Sequence, residues 1–345
     1  MIPLLSRRSL LTGATASLAG ELLSQQTDLT ATDQIFARNH FTDFDPAKAE
    51  LTLASWSLRI EGRVTHPMTL SFSDLLETHL AKQESLLECA GNGESGTAVA
   101  MCRWEGVQLG HLLERAGAKP DSNILFEGYD RGTLLANSVP TNYTRIIPGK
   151  KCFAPESLVA IRLNGRFLPD RNGFPARVIF PGRYGMDSVK WLRRIIVLAP
   201  GEAVPASYIE SGMPRLYSRL TKKQPPVPVS SILVKSVIGY PSTDTKMVPS
   251  VVPVSGYAWT GDGSVKEVRL SVDGGRNWDR ARLSTSPKPF NWVRWTYNWS
   301  ASSGKHILMS RAEDSAGKAQ PMSRDPERLD AYELNAVVPV TCTVL

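Results

Sequence analysis

Two spacings of apolar residues follow one another along this chain, and the switch between them marks where it divides. Leu51, Leu53, Trp56, Leu58 and Ile60 stand close to every second position, and the run stops at Gly62, the pattern of a strand with one buried face. Ser73-Asp74-Leu75-Leu76 and the stretch from Gly110 to Gly117 instead read as short helices closed by turn residues. Ala176 to Phe180 reads as a buried strand ending in the turn Pro181-Gly182, and Leu192 to Ala199 as another. Short elements of both kinds, without regular strand–helix alternation, predict an α+β fold rather than a doubly wound α/β one.

Beyond Pro225-Pro226-Val227-Pro228 the pattern is almost purely that of strands. Val268, Leu270 and Val272 alternate ahead of Asp273-Gly274-Gly275, a hairpin-type turn. Val293, Trp295, Tyr297 and Trp299 share one face of the next run, and Ile307, Met309 and Arg311 follow before a turn at Ser315-Ala316-Gly317. Strands at this spacing predict an all-β immunoglobulin-like sandwich with the tryptophans in its core. The expected division is an α+β domain over residues 29–225 and the sandwich over 226–345. Residues 1–28 read differently: Arg7-Arg8 precede a mildly apolar stretch, Leu10 to Leu23, that holds small-residue candidate cleavage points. This resembles a twin-arginine export signal and predicts a periplasmic destination.

Composition narrows the function classes. A chain of 345 residues with 42% hydrophobic and 21% charged residues can bury a substantial core and is not a disordered one. The net charge is +7, but residues 226–345 carry 14 basic against 11 acidic side chains and the rest 26 against 22. That even spread lacks the dense basic patch of nucleic-acid binders. No apolar run approaches the roughly 18–20 residues that cross a bilayer. Cys89, Cys102, Cys152 and Cys342 form no CxxC or CxxCH, which argues against zinc ribbons, thioredoxin-like sites and covalent haem in this chain, and they are too few for a disulfide framework.

A series of local motifs carries the chemistry. Phe36-Ala37-Arg38-Asn39-His40 comes first, then Glu88-Cys89-Ala90-Gly91-Asn92-Gly93, Arg103-Trp104-Glu105-Gly106-Val107 and Phe126-Glu127-Gly128-Tyr129-Asp130. Gly173-Phe174-Pro175-Ala176-Arg177 and the run from Pro181 to Trp191, with Ser188-Val189-Lys190-Trp191 at its end, follow. Gly256-Tyr257-Ala258-Trp259 and Ser271-Val272-Asp273-Gly274-Gly275 complete the series. In this order, from about Ile35 onward, the chain resembles the sulfite oxidase family of molybdenum enzymes. The Cys-Ala-Gly-Asn and Ser-Val-Lys-Trp segments are the most specific.

The resemblance implies a sulfite-oxidase-type molybdopterin-binding domain followed by an immunoglobulin-like dimerisation domain, a homodimer, and a molybdenum–molybdopterin cofactor. It assigns Cys89 as the thiolate ligand of the metal, a soft donor suited to it. It also implies cofactor contacts from Phe36, Ala37, Arg38, Asn39, His40, Asp130, Asn172, Arg177, Ser188, Val189 and Lys190. Arg177 and Lys190 have a rationale of their own, because a buried phosphate needs cationic partners. Arg38 is further expected to face substrate oxygens. Tyr208 lies nearest in register to the family's active-site tyrosine, with Tyr217 as the other candidate, and Arg294 is the candidate second-domain arginine closing the pocket.

The chain also departs from the family pattern. Gly93-Glu94 replaces the arginine pair that follows Cys-Ala-Gly-Asn in sulfite-oxidising members. Glu94 is therefore expected to place a negative charge where an anion pocket has a positive one, at a cost of roughly 3 kcal/mol for a 6 Å separation if it faces the site. Asn172 replaces a common histidine. The function expected from all this is oxygen-atom transfer between water and a small sulfur compound, sulfite by default, with electrons leaving to an external carrier such as a periplasmic cytochrome c. A reductase of S- or N-oxides on the same fold, or a cofactor-free exported binding protein, are the alternatives. Metal analysis separates the last from the other two.

Overall fold

The computed structural model describes residues 29–94, 96, 98–133, 140–203, 205, 218–284 and 286–345. Tyr208, Tyr217 and the twin-arginine segment lie outside these residues.

Two sheets build the first domain. One runs in the order β2 (Met68–Ser71), β1 (Ser57–Gly62), β10 (Leu192–Leu198), β5 (Asn123–Gly132), β6 (Thr141–Pro148), with β1 and β10 parallel and the other pairs antiparallel. The other runs β3 (Leu80–Glu88), β4 (Val99–Gln108), β7 (Leu158–Leu163), β8 (Arg166–Phe167), and β9 (Arg177–Ile179) also pairs with β7. Helix α1 (Phe72–Glu77) starts at a reciprocal cap between Ser71 and Asp74. Helix α2 (Leu109–Ala116) stops at Gly117, whose φ of 78° only glycine adopts cheaply and whose missing side chain makes room for Thr65. A single turn, α3 (Gly149–Cys152), follows β6. Trp56, Leu58, Ile60, Phe126 and Ile195 pack with Leu112 and Leu113 of α2 in the main core. Both sequence-predicted helices are present, and the predicted strands from Ala176 and Leu192 are β9 and β10.

The expected strand over Leu51 to Glu61 is shorter than its apolar pattern. Thr52 and Ser55 bond each other's backbone and side chains, and Trp56 N donates to Thr52 O, so a turn occupies these residues and extension begins at Ser57.

After the short pair β11 (Ser218–Arg219) and β12 (Val227–Pro228), the second domain is a sandwich. One sheet orders β13 (Lys235–Tyr240), β15 (Ser250–Trp259), β19 (Val293–Ala301), β18 (Arg282–Leu283). The facing sheet orders β14 (Thr245–Met247), β21 (Val340–Val344), β20 (Gly304–Asp314), β16 (Val265–Ser271), β17 (Asp279–Arg280). Trp295 and Trp299 lie in its core with Val254, Val268, Leu270 and Leu308. Asp273 closes the predicted turn by accepting the backbone N–H groups of Arg276 and Asn277. On β20, Leu308, Ser310 and Ala312 face inward, and Ile307, from the alternating set with Met309 and Arg311, is 44% exposed.

Trp259 is buried not in the sandwich but in the seam between the domains, against Leu86, Ala90, Tyr184, Val229 and Ile232. There the backbones come unusually close: a Cβ on Gly182 or on Gly261 would lie 2.3 Å from the other's carbonyl oxygen. Leu86 N donates to Phe290 O at 2.7 Å across the same seam.

Candidate active site

The Cys-Ala-Gly-Asn segment opens the connection from β3 to β4, and its residue types explain its shape. Cys89 N donates to Ala98 O at 3.0 Å, and Asn92 N donates back to Cys89 O at 2.9 Å. The Asn92 side chain then accepts from Ala98 N at 2.7 Å and donates to the Glu88 carboxylate at 2.8 Å. An amide is needed here because one atom must accept and the other donate. Ala90 is buried in the seam, and Gly91 stands between the Cys89 sulfur and the ring of Tyr332. The loop thus presents Cys89 at the wall of a cavity of about 260 Å³.

Other elements bring the predicted residues to this cavity. Phe36, Ala37, Arg38, Asn39 and His40 form one side, and Asp130 enters from β5. Asn172 stands in the turn before β9, Arg177 begins β9, and Ser188 and Lys190 come from the loop before β10. Val189 does not line the cavity: its side chain is buried in the main core, while its neighbours Ser188 and Lys190 line the cavity from this turn-rich loop. Arg294 lies elsewhere, on β19 opposite Tyr257, with its guanidinium 5.7 Å from that ring.

Glu94 is also outside the cavity. It lines a smaller pocket of about 210 Å³ together with Arg324, Arg328 and Glu333, so the expected reversal of charge in the main site does not occur. The loop turns it away once Asn92 is tied to Glu88 and Ala98.

The cavity is electrostatically unfinished. Arg177 is 3% exposed, donates to Asn172 O at 3.0 Å and Ser188 O at 2.7 Å, and has no partner for Nε among the described residues. The side-chain oxygen of Asn172 and Oδ1 of Asp130 are likewise buried without a partner. Burial pushes the Asp130 carboxyl up to about 7 and the Arg177 guanidinium down to about 10. Lys190 is lowered to about 7 by burial and then by the charge of Arg177, while it donates to Asn39 Oδ1 and to Arg171 O at 3.0 Å. Burial raises the Cys89 thiol, against which a Gly91 hydrogen bond and the charge of Arg38 pull it down. Cys102, Cys152 and Cys342 are buried, free and away from the cavity. Orphaned donors and acceptors in one wall, with two cations beside them, fit a polar group that carries negative charge and offers both hydrogen-bonding roles.

Several cavity residues were not anticipated from sequence. Tyr143 and Met186 pair, the tyrosine hydroxyl donating to Met186 O at 2.8 Å. Tyr332 reaches the site from the second domain. It stands in the polar stretch Asp325 to Asp330 and beyond, where no periodicity points to it, and a large aromatic in such a loop was the only signal available.

Comparison with known proteins agrees with this architecture. The model of the oxidoreductase molybdopterin binding domain matches residues 45–203, and that of the Mo-co oxidoreductase dimerisation domain matches 228–328. The chain is 30% identical to sulfite oxidase of Gallus gallus over 89% of its length and 71% of the relative. It is 28% identical to the mitochondrial sulfite oxidase of Homo sapiens over 87% of its length, spanning only 58% of that protein. The solved structure of the sulfane dehydrogenase SoxCD from Paracoccus pantotrophus superposes with a TM-score of 0.79 at 26% identity, covering 93% of this chain and 84% of the other.

Proposed function

Because the chain belongs to the sulfite oxidase family of molybdopterin-binding oxidoreductases, we propose that it oxidises a small sulfur compound with oxygen taken from water. The observation that carries this reading is the convergence of Cys89, Arg38 and the orphaned polar atoms of Asp130, Asn172 and Arg177 on one cavity. Those residues fit the family's molybdenum–molybdopterin cofactor. Arg177, Lys190 and Asn172 would hold its anionic and polar parts, and Cys89 would supply a thiolate to the metal. When bound, the metal supplies oxygen-atom transfer and the relay of an electron pair.

The chain's own contribution is binding and orientation. Arg38 offers an exposed cation beside Cys89, where it attracts an anionic substrate and favours the thiolate. With sulfite as substrate, water and sulfite give sulfate, two protons and two electrons: a sulfur–oxygen bond forms and both water O–H bonds break. The electrons pass to an external acceptor, for which a periplasmic c-type cytochrome fits the export signal at Arg7-Arg8. Export by the twin-arginine route suits a protein that must carry its cofactor already folded. The match of the second domain to a dimerisation model supports a homodimer.

A sulfane-type substrate is the second reading, favoured by the fuller mutual coverage with the sulfane dehydrogenase. The test is metal analysis of the purified protein, followed by turnover of sulfite, thiosulfate and an organic sulfide with ferricyanide as acceptor. About one molybdenum per chain and oxidation of at least one of these compounds is the expected result. Protein without molybdenum after expression in a cofactor-producing host would overturn the proposal.

A further inference from the structure

Directly before Cys89, the Glu88 carboxylate is 2% exposed and collects donors from both domains. Asn92 donates to it from the same loop, Trp259 Nε1 at 2.8 Å from the end of β15, and Lys235 Nζ at 3.4 Å from the start of β13. Lys235 is itself 1% exposed, and its ammonium also donates to Gly93 O at 2.8 Å. One buried cation of the second domain therefore touches the residue before Cys89 and the residue after Asn92. A third tie, Glu333 N to Ala90 O at 2.9 Å, holds the loop between them.

A buried ion pair is a poor way to gain stability, because desolvating two charges costs about what their attraction returns and apolar replacements are often as stable. What such a pair does supply is direction: both partners lose their solvent and must meet in one geometry. Here that geometry fixes both ends of the loop that presents the cysteine.

We propose that Lys235 is a positioning residue for Cys89, acting through Glu88 and the Gly93 carbonyl, so that the second domain sets where the sulfur points. In the loaded enzyme this rests on the reading of Cys89 as a metal ligand, whereas in the cofactor-free chain it does not.

The experiment compares full-length wild type with Lys235→Met, with the double variant Glu88→Gln/Lys235→Met, and with Trp259→Phe. In loaded protein the readouts are the thiolate-to-metal absorption band and the electron paramagnetic resonance spectrum of the metal. In cofactor-free protein the readout is the rate of iodoacetamide labelling at Cys89, with the three buried cysteines as internal references. Lys235→Met should shift both spectra, lower turnover about 10–100-fold as outer-shell changes at metal sites do, and label about tenfold faster as the loop opens. The double variant removes the unpaired charge, so thermal stability should return while the spectra and labelling stay altered, because the bond to Gly93 is still missing. It also decides the matter if Lys235→Met alone does not fold. Trp259→Phe should give a smaller change in the same direction. Spectra and labelling equal to wild type, with only a lower thermal midpoint, would overturn the proposal and leave Lys235 as ordinary seam packing. A wild type without molybdenum would overturn the proposed function instead, and the labelling rates would still judge Lys235.

Discussion

Tyr332 lies beside Gly91: a Cβ there would stand 3.8 Å from the tyrosine ring and 4.0 Å from the Cys89 sulfur, in ordinary contact with both. The tyrosine is held by its backbone on both sides. Its N–H donates to the Asp330 carboxylate at 2.9 Å, and its carbonyl accepts from Arg328 Nη2 at 2.8 Å. Burial, and then the charge of Cys89, push its hydroxyl above the ordinary range, so it stays neutral at working pH. Tyr332→Ala should enlarge the cavity beside Cys89 and raise KM about tenfold for a small substrate, the scale of one lost pocket contact, with kcat less affected. Steady-state kinetics on sulfite and on a bulkier sulfide check this, and unchanged KM for both would place the ring outside substrate reach.

Cys89→Ser replaces a soft thiolate by a hard, weakly acidic hydroxyl in the same loop. Turnover should fall by more than about 100-fold, beyond the range of outer-shell changes, while the loop bonds of Asn92 keep the chain folded. Activity and circular dichroism measured together check it. Undiminished activity would remove Cys89 from the metal.

Asp130 gives the cofactor-free chain a pH dependence of definite sign. Its carboxyl, raised to about 7 by burial, keeps a proton in the folded state that the unfolded chain has lost. The stability it contributes is complete below about pH 4 and disappears as pH rises through 7. Asp130→Asn should therefore improve thermal stability relative to wild type more at pH 8 than at pH 5. Equal shifts at both values would show that the carboxyl is not held protonated.

Asp187 is fully buried between Arg145 at 2.8 Å and Arg183 at 2.7 Å, in the same loop as Met186 and Ser188. Removing its charge leaves two poorly solvated guanidinium groups, so Asp187→Asn should cost about 3–5 kcal/mol. Chemical denaturation measures it, and a loss below 1 kcal/mol would contradict the burial.

Glu94→Arg tests the displaced family position. Since Glu94 lines the smaller pocket, sulfite KM and its salt dependence should stay close to wild type. A tenfold fall in KM, worth about 1.4 kcal/mol, would place residue 94 in the main cavity.

Elements with a one-sided pattern could be read from the sequence, and so could the site motifs. Trp295 and Trp299 alternate with polar neighbours and lie in the core. Ile307 and Leu308 are adjacent and both apolar, so spacing alone could not say which faces inward. The strand expected from Leu51 was shortened by local hydroxyl–backbone bonds at Thr52 and Ser55 that hydropathy does not register. Most of the residues expected at the site do meet in one cavity; the pattern located only the elements next to Arg177, Ser188 and Lys190, and the motifs marked the rest. Glu88 and Lys235 gave no such signal. A charged residue inside an apolar run ordinarily reaches solvent, and the docking of the two domains buries this pair, whose members stand 147 positions apart in sequence.

That separation also sets an order of events in biosynthesis. Glu88 and Cys89 leave the ribosome on the order of ten seconds before Lys235 at ordinary elongation rates, and Trp259 follows later still. During that interval the carboxylate lacks two of its three side-chain donors, and Ala90 has no Glu333 to accept from. The loop that presents the sulfur is thus completed only when both domains have been made and have docked.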